Sequence, residues 1–248
     1  MKVGILTFHF AYNYGAVLQA WGLQQAVESL GHEVCIINYV PNYMKHRIST
    51  FRGWGIRSGS KFLTTFCHRL RESKRRKSFC NFTHEYFRLS KRLLTKNAMQ
   101  EFCEGLDAVI VGSDQVWNLN WLSQFDDTYF LGFLEETKPR KIAYGACFGQ
   151  IDQPERHLAK ACRLIKHFDC VGVRNQFGRH ILAKNGIKAE TIVDPGVPSG
   201  TRCTASPVFL VILISTWIPV PVVLSCRLAT PGKISCQWLP SRIFLIIF

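Results

Sequence analysis

The sequence predicts a doubly wound α/β domain with a mostly parallel sheet. Short apolar runs of strand length alternate with segments whose apolar residues recur at helical spacing, from residue 2 to residue 193. Several of these runs end in loops rich in glycine and polar residues, as is typical where ligands bind at strand ends. With 248 residues, 47% of them hydrophobic, the chain can bury a sizeable core.

The first forty residues predict a βαβ unit. Residues 2–7 form an apolar run, apolar positions from Ala16 to Leu30 follow a helical spacing, and Gly31 ends the helix before a second run at residues 34–39. The crossover between the two strands is expected to be right-handed, so the sheet begins parallel. Further strands are predicted at residues 107–111, 141–145, 169–173 and 191–193, and helices at residues 154–166 and 177–185.

A basic segment at residues 44–96 interrupts this alternation and is predicted to be an insertion. From Lys45 to Lys96 the sequence has fifteen Lys or Arg and two acidic residues, which is nearly all of the net charge of +14. A Gly/Ser-rich loop at residues 51–60 precedes a helical stretch that includes SKRRKSF. Such a charge run is usually a solvated helical face. The alternatives are a docking surface for anionic membrane lipid or for nucleic acid, of which nucleic acid is disfavoured.

Composition and motifs exclude several classes of site. The ten cysteines form no CxxC pair and no zinc pattern, so neither a metal nor a disulfide framework is predicted. GxGxxG and GKS or GKT are absent, and no cofactor is predicted. The opening MKVGILTF reads as a strand rather than a secretory leader. The expected location is cytoplasmic, with membrane association through the basic segment as an addition.

The last part of the chain has a different composition. Residues 1–196 are predicted to form the α/β domain, and residues 197–248 an atypical apolar tail without any Asp or Glu. The run at residues 207–225 is about long enough to span a bilayer, which makes a membrane anchor one interpretation. Pro219 and Pro221 would interrupt a single spanning helix, so an out-of-frame or truncated terminus is the favoured interpretation.

Two predicted strand ends carry the first candidate site residues. Asn13 and Gly15 follow the first strand: Asn13 binds a ligand or caps the helix, and Gly15 lets a ligand approach the backbone or permits a turn. Ser113 and Asp114 follow the strand at residues 107–111, where Ser113 can donate to a phosphate or sugar oxygen. Asp114 can accept from a sugar hydroxyl or act as a general base. The alternative is that Asp114 caps the next helix while Trp117 packs in the core.

Two later strand ends complete the predicted crevice. YGACFGQ leaves its strand with little side-chain bulk at Gly145 and Gly149, which favours a cleft more than a reaction. Arg174 directly follows a buried strand, where a guanidinium needs an anionic partner. It is therefore a candidate ligand for an anionic substrate, and an ion pair with Asp194 is the competing interpretation.

Taken in order, five segments resemble the successive signatures of the polysaccharide pyruvyl transferase family: GILTFHFAYNYGAVLQAWGLQ, DAVIVGSDQVWN, RKIAYGACFGQ, DCVGVRNQFG and IVDP. The resemblance runs from residue 1 to about residue 195. It implies two Rossmann-like halves as in GT-B enzymes, of which this chain matches the N-terminal half, with the tail in place of the C-terminal domain.

The resemblance also implies a function. Family members transfer the pyruvyl group of phosphoenolpyruvate to a sugar or lipid-linked saccharide that is a precursor of surface polysaccharide or exopolysaccharide. Arg174 matches the family's arginine, whereas Asn175 stands where relatives usually have an acid. Because the family's second half is missing, the chain as written is expected to be inactive or nearly so. A nucleotide-sugar glycosyltransferase and a non-catalytic basic binding module are the alternatives.

Overall fold

The computed structural model describes residues 1–41, 44, 60–122, 124–134, 139–149, 152–195, 222–228 and 234–240. The chain divides into two compact units, Met1–Ser206 and Pro207–Phe248. In the second unit, β7 (Val222–Leu228) and β8 (Ile234–Pro240) pair antiparallel. Most of the apolar run predicted at residues 207–225 lies outside the described residues, and so does the loop at 51–60 except for its last residue.

The first unit contains a six-stranded parallel sheet, which confirms the predicted α/β class. Its strands are β1 (Lys2–Leu6), β2 (Glu33–Ile36), β3 (Ala108–Val111), β4 (Arg140–Ala146), β5 (Cys170–Val173) and β6 (Glu190–Thr191). They lie in the order β2-β1-β3-β4-β5-β6. The chain therefore leaves β1 toward one edge of the sheet and returns to its other side as β3. In sheets of this kind, ligands bind where the strand order reverses.

Five helices accompany the sheet within the described residues. They are α1 (Tyr14–Ser29), α2 (Ser60–Tyr86), α3 (Lys96–Glu104), α4 (Glu155–Ile165) and α5 (Gln176–Lys184). The predicted helical stretch around SKRRKSF lies in α2, whereas α3 was not predicted. None of the described helices is both long and apolar enough to cross a membrane.

Trp117 lies in the centre of the core. Its side chain is fully buried, its ring stacks on Phe130, and its indole N–H donates to the Tyr129 carbonyl oxygen at 2.9 Å. This confirms the prediction that Trp117 packs in the core. The companion interpretation, that Asp114 caps a helix, is wrong. The chain after Asp114 turns into the short 3-10 turn Leu119–Trp121, which Asn118 caps instead.

The two outer strands of the sheet present little unpaired backbone. Residues 88–93 run along β2, where the Ile36 N–H donates to the Arg88 carbonyl oxygen at 2.7 Å and the Ser90 N–H donates to the Ile36 carbonyl oxygen at 2.9 Å. Gln24 of α1 holds the start of this segment, because its amide donates to the Tyr86 carbonyl oxygen and accepts from the Arg88 N–H. At the opposite side, β6 has two residues.

Candidate active site

A crevice of about 560 Å³ lies at the carboxyl ends of the strands. The segments after β1, β3, β5 and β6 contribute polar or backbone groups to its lining, from Asn13, Gly15, Asp114, Gln115, Arg174 and Asp194. Phe8 and Trp121 add apolar surface. The predicted loops after β1, β3 and β5 do meet at this crevice. No described residue of the YGACFGQ segment lines it, although that segment was predicted to take part, and Asp194 after β6 contributes instead.

The loop after β1 presents the first turn of α1 to the crevice. Asn13 has an extended backbone, and its side-chain oxygen accepts from the Ala16 N–H at 3.3 Å. Asn13 therefore caps α1, as one of the two predicted alternatives had it. It also lines the crevice. Helix N-termini attract anions through their unpaired N–H groups and dipole. Gly15, which is exposed in this first turn, leaves the backbone accessible there.

Ser113 lies beneath the crevice rather than in its lining. Its side chain is fully buried, and its hydroxyl is 3.3 Å from the Gly145 carbonyl oxygen and 3.2 Å from Asp194 Oδ2. Its own carbonyl oxygen accepts from the Thr7 hydroxyl at 2.9 Å, which ties the loop after β3 to the end of β1. In this arrangement Ser113 orients Asp194, and its role as a substrate ligand stays a prediction.

Asp114 carries a carboxyl group with an altered proton affinity. Its Oδ1 accepts from the Gln115 N–H at 2.7 Å, and its backbone has a positive φ of 92°. Burial raises the pKa of the Asp114 carboxyl above its usual range. The Gln115 hydrogen bond and the positive charge of Arg174 oppose this rise, and the negative charge of Asp194 adds to it. A raised pKa makes the ionised carboxylate a stronger base, which suits proton transfer.

Arg174 and Asp194 form an ion pair at the crevice. Arg174 Nη1 lies 2.8 Å from Asp194 Oδ2, and the side chains are 35% and 26% exposed. The competing interpretation of Arg174, a pair with Asp194, is therefore confirmed. Both residues also line the crevice, so an incoming anion would meet the guanidinium beside its carboxylate partner. The anion-binding role of Arg174 stays a prediction.

Close packing of the end of β3 against β4, and of the loop after β4 against the loop after β5, supports this arrangement. Gly112 has a φ of 113°, and a Cβ atom added there would lie 2.3 Å from the Tyr144 carbonyl oxygen. The Asn175 amide lies 3.4 Å from the Gly149 carbonyl oxygen, while its side-chain oxygen caps α5 through the Gly178 N–H at 2.9 Å. Asn175 is therefore a structural link between the loops after β4 and β5.

Gln115, Trp121 and Asp194 also contribute to the crevice and were not predicted as site residues. Asp194 was considered only as a partner of Arg174, although an acid at the end of the last strand is a signal of the same kind as Asp114. Gln115 and Trp121 carry no such signal in the sequence. No group of three or more metal-binding side chains occurs in the described part of the chain.

Comparison with known families gives one match. The family model for polysaccharide pyruvyl transferase matches residues 13–218. The match thus begins at the cap of α1 and continues past residue 195, where the resemblance was expected to end. Neither the curated proteins nor the solved structures give a match to the chain.

Proposed function

The chain belongs to the polysaccharide pyruvyl transferase family, and we propose that its crevice transfers the pyruvyl group of phosphoenolpyruvate to a sugar of a surface-polysaccharide precursor. The observation that carries this proposal is the shared crevice, in which Arg174 and the carboxyl group of Asp114 line one cavity at the end of α1. An anionic donor needs a cation and helix N–H groups, and ketal formation needs a proton-transfer group.

The bonds formed and broken in pyruvyl transfer determine which groups the site needs. Two sugar hydroxyl oxygens bond to C2 of phosphoenolpyruvate, and the bond between C2 and the phosphate oxygen breaks. Of the two hydroxyl protons, one ends on the methylene carbon, which becomes a methyl group, and the other on the released phosphate. The reaction therefore needs a base near the sugar and positive charge near the carboxylate and phosphate.

In this proposal Arg174 binds an anionic group of the donor, and the first-turn N–H groups around Asn13 and Gly15 bind another. Guanidinium groups match carboxylate and phosphate oxygens in a planar, bidentate geometry. Asp114 accepts the proton of a sugar hydroxyl, since its raised pKa makes it a stronger base than an ordinary carboxylate. Asp194, which accepts from the Ser113 hydroxyl, is paired with Arg174, so the donor anion competes with this carboxylate for the guanidinium.

A calorimetric titration of the 248-residue chain with phosphoenolpyruvate tests the proposal. Arg174→Gln should weaken binding by about tenfold or more, since charge-assisted contacts contribute about 1.5–3 kcal/mol. Arg179→Gln is the matched control, because Arg179 is exposed on α5 and does not line the crevice. Equal affinity of both variants and the wild type would count against the proposal. So would displacement of phosphoenolpyruvate from the crevice by a uridine diphosphate sugar whose own affinity falls with Arg174→Gln, which is the outcome expected of a glycosyltransferase.

Binding and turnover answer separate questions. The expectation from sequence that the chain as written turns over little stays a prediction, and phosphate release in the presence of a saccharide acceptor tests it. Binding of phosphoenolpyruvate without turnover would agree with both the proposed donor site and the expected low activity. Robust release would contradict the expected inactivity while supporting the reaction.

A further inference from the structure

An aromatic and basic surface adjoins the crevice. Tyr12 and Tyr14 flank the crevice residue Asn13, and both rings contact Phe79 of α2, with centroid distances of 6.2 and 4.9 Å. Tyr14 is 69% exposed, which is high for a large aromatic side chain. We call Tyr12, Tyr14, Arg75 and Arg76, together with the buried Phe79 that supports them, the platform.

The two arginines of the platform are oriented by aromatic rings. The Arg76 guanidinium lies 5.4 Å from the centroid of the Tyr12 ring, and that of Arg75 lies 5.7 Å from the Phe79 centroid. Arg75 Nη2 also donates to the Tyr12 carbonyl oxygen at 2.8 Å. Cation–π contacts of this kind restrict a long side chain, so its planar set of donors keeps a defined direction.

The direction of α2 places its basic residues at the crevice end of the molecule. Successive residues of α2 meet successive residues of α1, because Phe79 contacts Tyr14 and Phe82 contacts Trp21 at 6.4 Å. The two helices therefore run in the same direction. Since Tyr14 begins α1 beside the crevice, the residues of α2 before Phe79 extend beyond that end, by about 1.5 Å each. Lys74 and Lys77 are exposed in this part of α2.

We propose that the platform binds a saccharide carrying a diphosphate group, with a sugar ring against Tyr14 and the phosphates on Arg75 and Arg76. The apolar C–H face of a pyranose packs against an exposed aromatic ring, and guanidinium groups recognise phosphate oxygens in a fixed geometry. The assignment rests on the proposed function, because the platform would hold the acceptor next to the reacting centre.

The arrangement favours this ligand over a flat anionic membrane. Attraction to a membrane needs only net positive charge near its surface. The platform has two arginines oriented on rings and an exposed tyrosine, which together match one phosphorylated sugar. The segment from Lys45 to Lys96, with fifteen basic and two acidic residues, adds a favourable field for any such anion.

Titration of the full chain with four probes tests the platform. The probes are farnesyl diphosphate-linked N-acetylglucosamine, uridine diphosphate N-acetylglucosamine, inorganic pyrophosphate and methyl N-acetylglucosaminide. One or both diphosphate sugars should bind most tightly, and which of them does so tells whether the carrier is lipid or nucleotide. Tyr14→Ala and Arg76→Gln should each weaken that binding about tenfold.

The controls are Tyr86→Ala and Lys184→Gln. Tyr86 is an exposed tyrosine at the C-terminal end of α2, and Lys184 is an exposed cation of α5. Both should keep wild-type affinity for the diphosphate sugars, and all four variants should bind phosphoenolpyruvate as the wild type does. Phosphoenolpyruvate binding without selective binding of a diphosphate sugar would overturn the platform alone. Selective sugar binding without phosphoenolpyruvate binding would support the platform and overturn the proposed function.

Two further outcomes would overturn the platform. One is equal affinity for methyl N-acetylglucosaminide and the diphosphate sugars, which would mean that the arginines bind no phosphate. The other is that the Arg76→Gln variant no longer binds phosphatidylglycerol vesicles but keeps its affinity for the diphosphate sugars. That result would assign Arg76 to a membrane surface.

Discussion

The two ends of the parallel sheet use aspartate in different ways. At the amino ends of the strands, Asp107 Oδ2 accepts from the Lys2 N–H at 2.7 Å and Asp169 Oδ2 accepts from the Lys141 N–H at 2.8 Å. At the carboxyl ends, Asp114 and Asp194 line a crevice with Arg174. At the strand starts each carboxylate binds a backbone N–H of the neighbouring strand. At the exits Asp194 pairs instead with the Arg174 side chain, and an anionic ligand can compete for that side chain.

The hollows at the two ends differ in the same way. A cavity of about 410 Å³ at the amino ends is lined partly by Val3, Val34, Phe102 and Leu106. Cys35 also lines it, and burial raises the pKa of the Cys35 thiol to about 11, so the thiol is neutral at pH 7. Lys2, Glu33 and Ser90 are its polar side chains, so this cavity lacks the arginine and the aspartates of the carboxyl-end crevice. This difference supports placing the chemistry at the carboxyl ends.

The largest expected difference between the two ends is in the stability effect of replacing a glycine at each end by alanine. Gly112→Ala should destabilise the fold by about 3 kcal/mol or more, because its Cβ would overlap the Tyr144 carbonyl oxygen in a backbone of positive φ. Gly105→Ala, at the amino ends, should change stability little, since its φ is −81° and its nearest neighbour is 3.6 Å away. Urea unfolding measures both, and equal losses would contradict the tight packing of Gly112 against β4.

A smaller effect is expected on ligand affinity. Asp194→Asn should strengthen phosphoenolpyruvate binding about tenfold, since it removes a negative charge that competes for Arg174 at 2.8 Å. Asp169→Asn, the counterpart at the amino ends, should leave the affinity unchanged. Calorimetric titration of the two variants distinguishes them. Weaker binding by Asp194→Asn would show that Arg174 depends on its partner for position more than it loses to competition.

At the amino ends the expected effect is on stability alone. Asp169→Ala should cost about 1 kcal/mol, the typical contribution of one hydrogen bond, because the Lys141 N–H loses its acceptor. The unfolding free energy should fall while phosphoenolpyruvate affinity at 25 °C is retained. A loss of affinity comparable to that of Arg174→Gln would break the division between a structural and a functional end.

The smallest expected effect is on how folding stability depends on pH, through Asp114. Because the folded-state pKa of Asp114 is raised above the unfolded value, the folded state holds the proton more tightly. The stabilisation from the protonated carboxyl is complete below the unfolded pKa and is lost as pH rises through the folded pKa. Asp114→Asn should therefore be more stable than the wild type at pH 7, with a smaller difference near pH 3. Melting temperatures across this range measure it, and a difference that grows toward low pH would contradict the raised pKa.

The sheet was predicted well because each central strand contains an uninterrupted run of apolar residues and glycine, as in residues 142–146 of β4. Predicted strands and helices agree with the structure to within a few residues, as at residues 107–111 against β3 (Ala108–Val111). Helix α3 was missed because its nine residues expose a mostly polar surface and bury only Met99 and Cys103. Boundaries of such short elements depend on tertiary packing that no local pattern contains.

The candidate site was predicted less completely than the fold. Asn13, Gly15, Asp114 and Arg174 do line one crevice, since parallel strands must end at the same side of a sheet. The burial of Ser113 could not be seen, because it depends on the path of the chain around Gly112 and Gly145. Contacts between Tyr12 and Phe79 join residues far apart in sequence, so the platform has no local signature.

The two edge strands of the sheet leave little backbone free to pair, and this affects how the protein behaves in concentrated solution. Residues 88–93 occupy the side of β2 where a foreign strand would add, and three of them, Arg88, Lys91 and Arg92, are cationic. The two-residue β6 offers too short a template for pairing. Concentrated samples should therefore resist strand-mediated polymerisation through the six-stranded sheet.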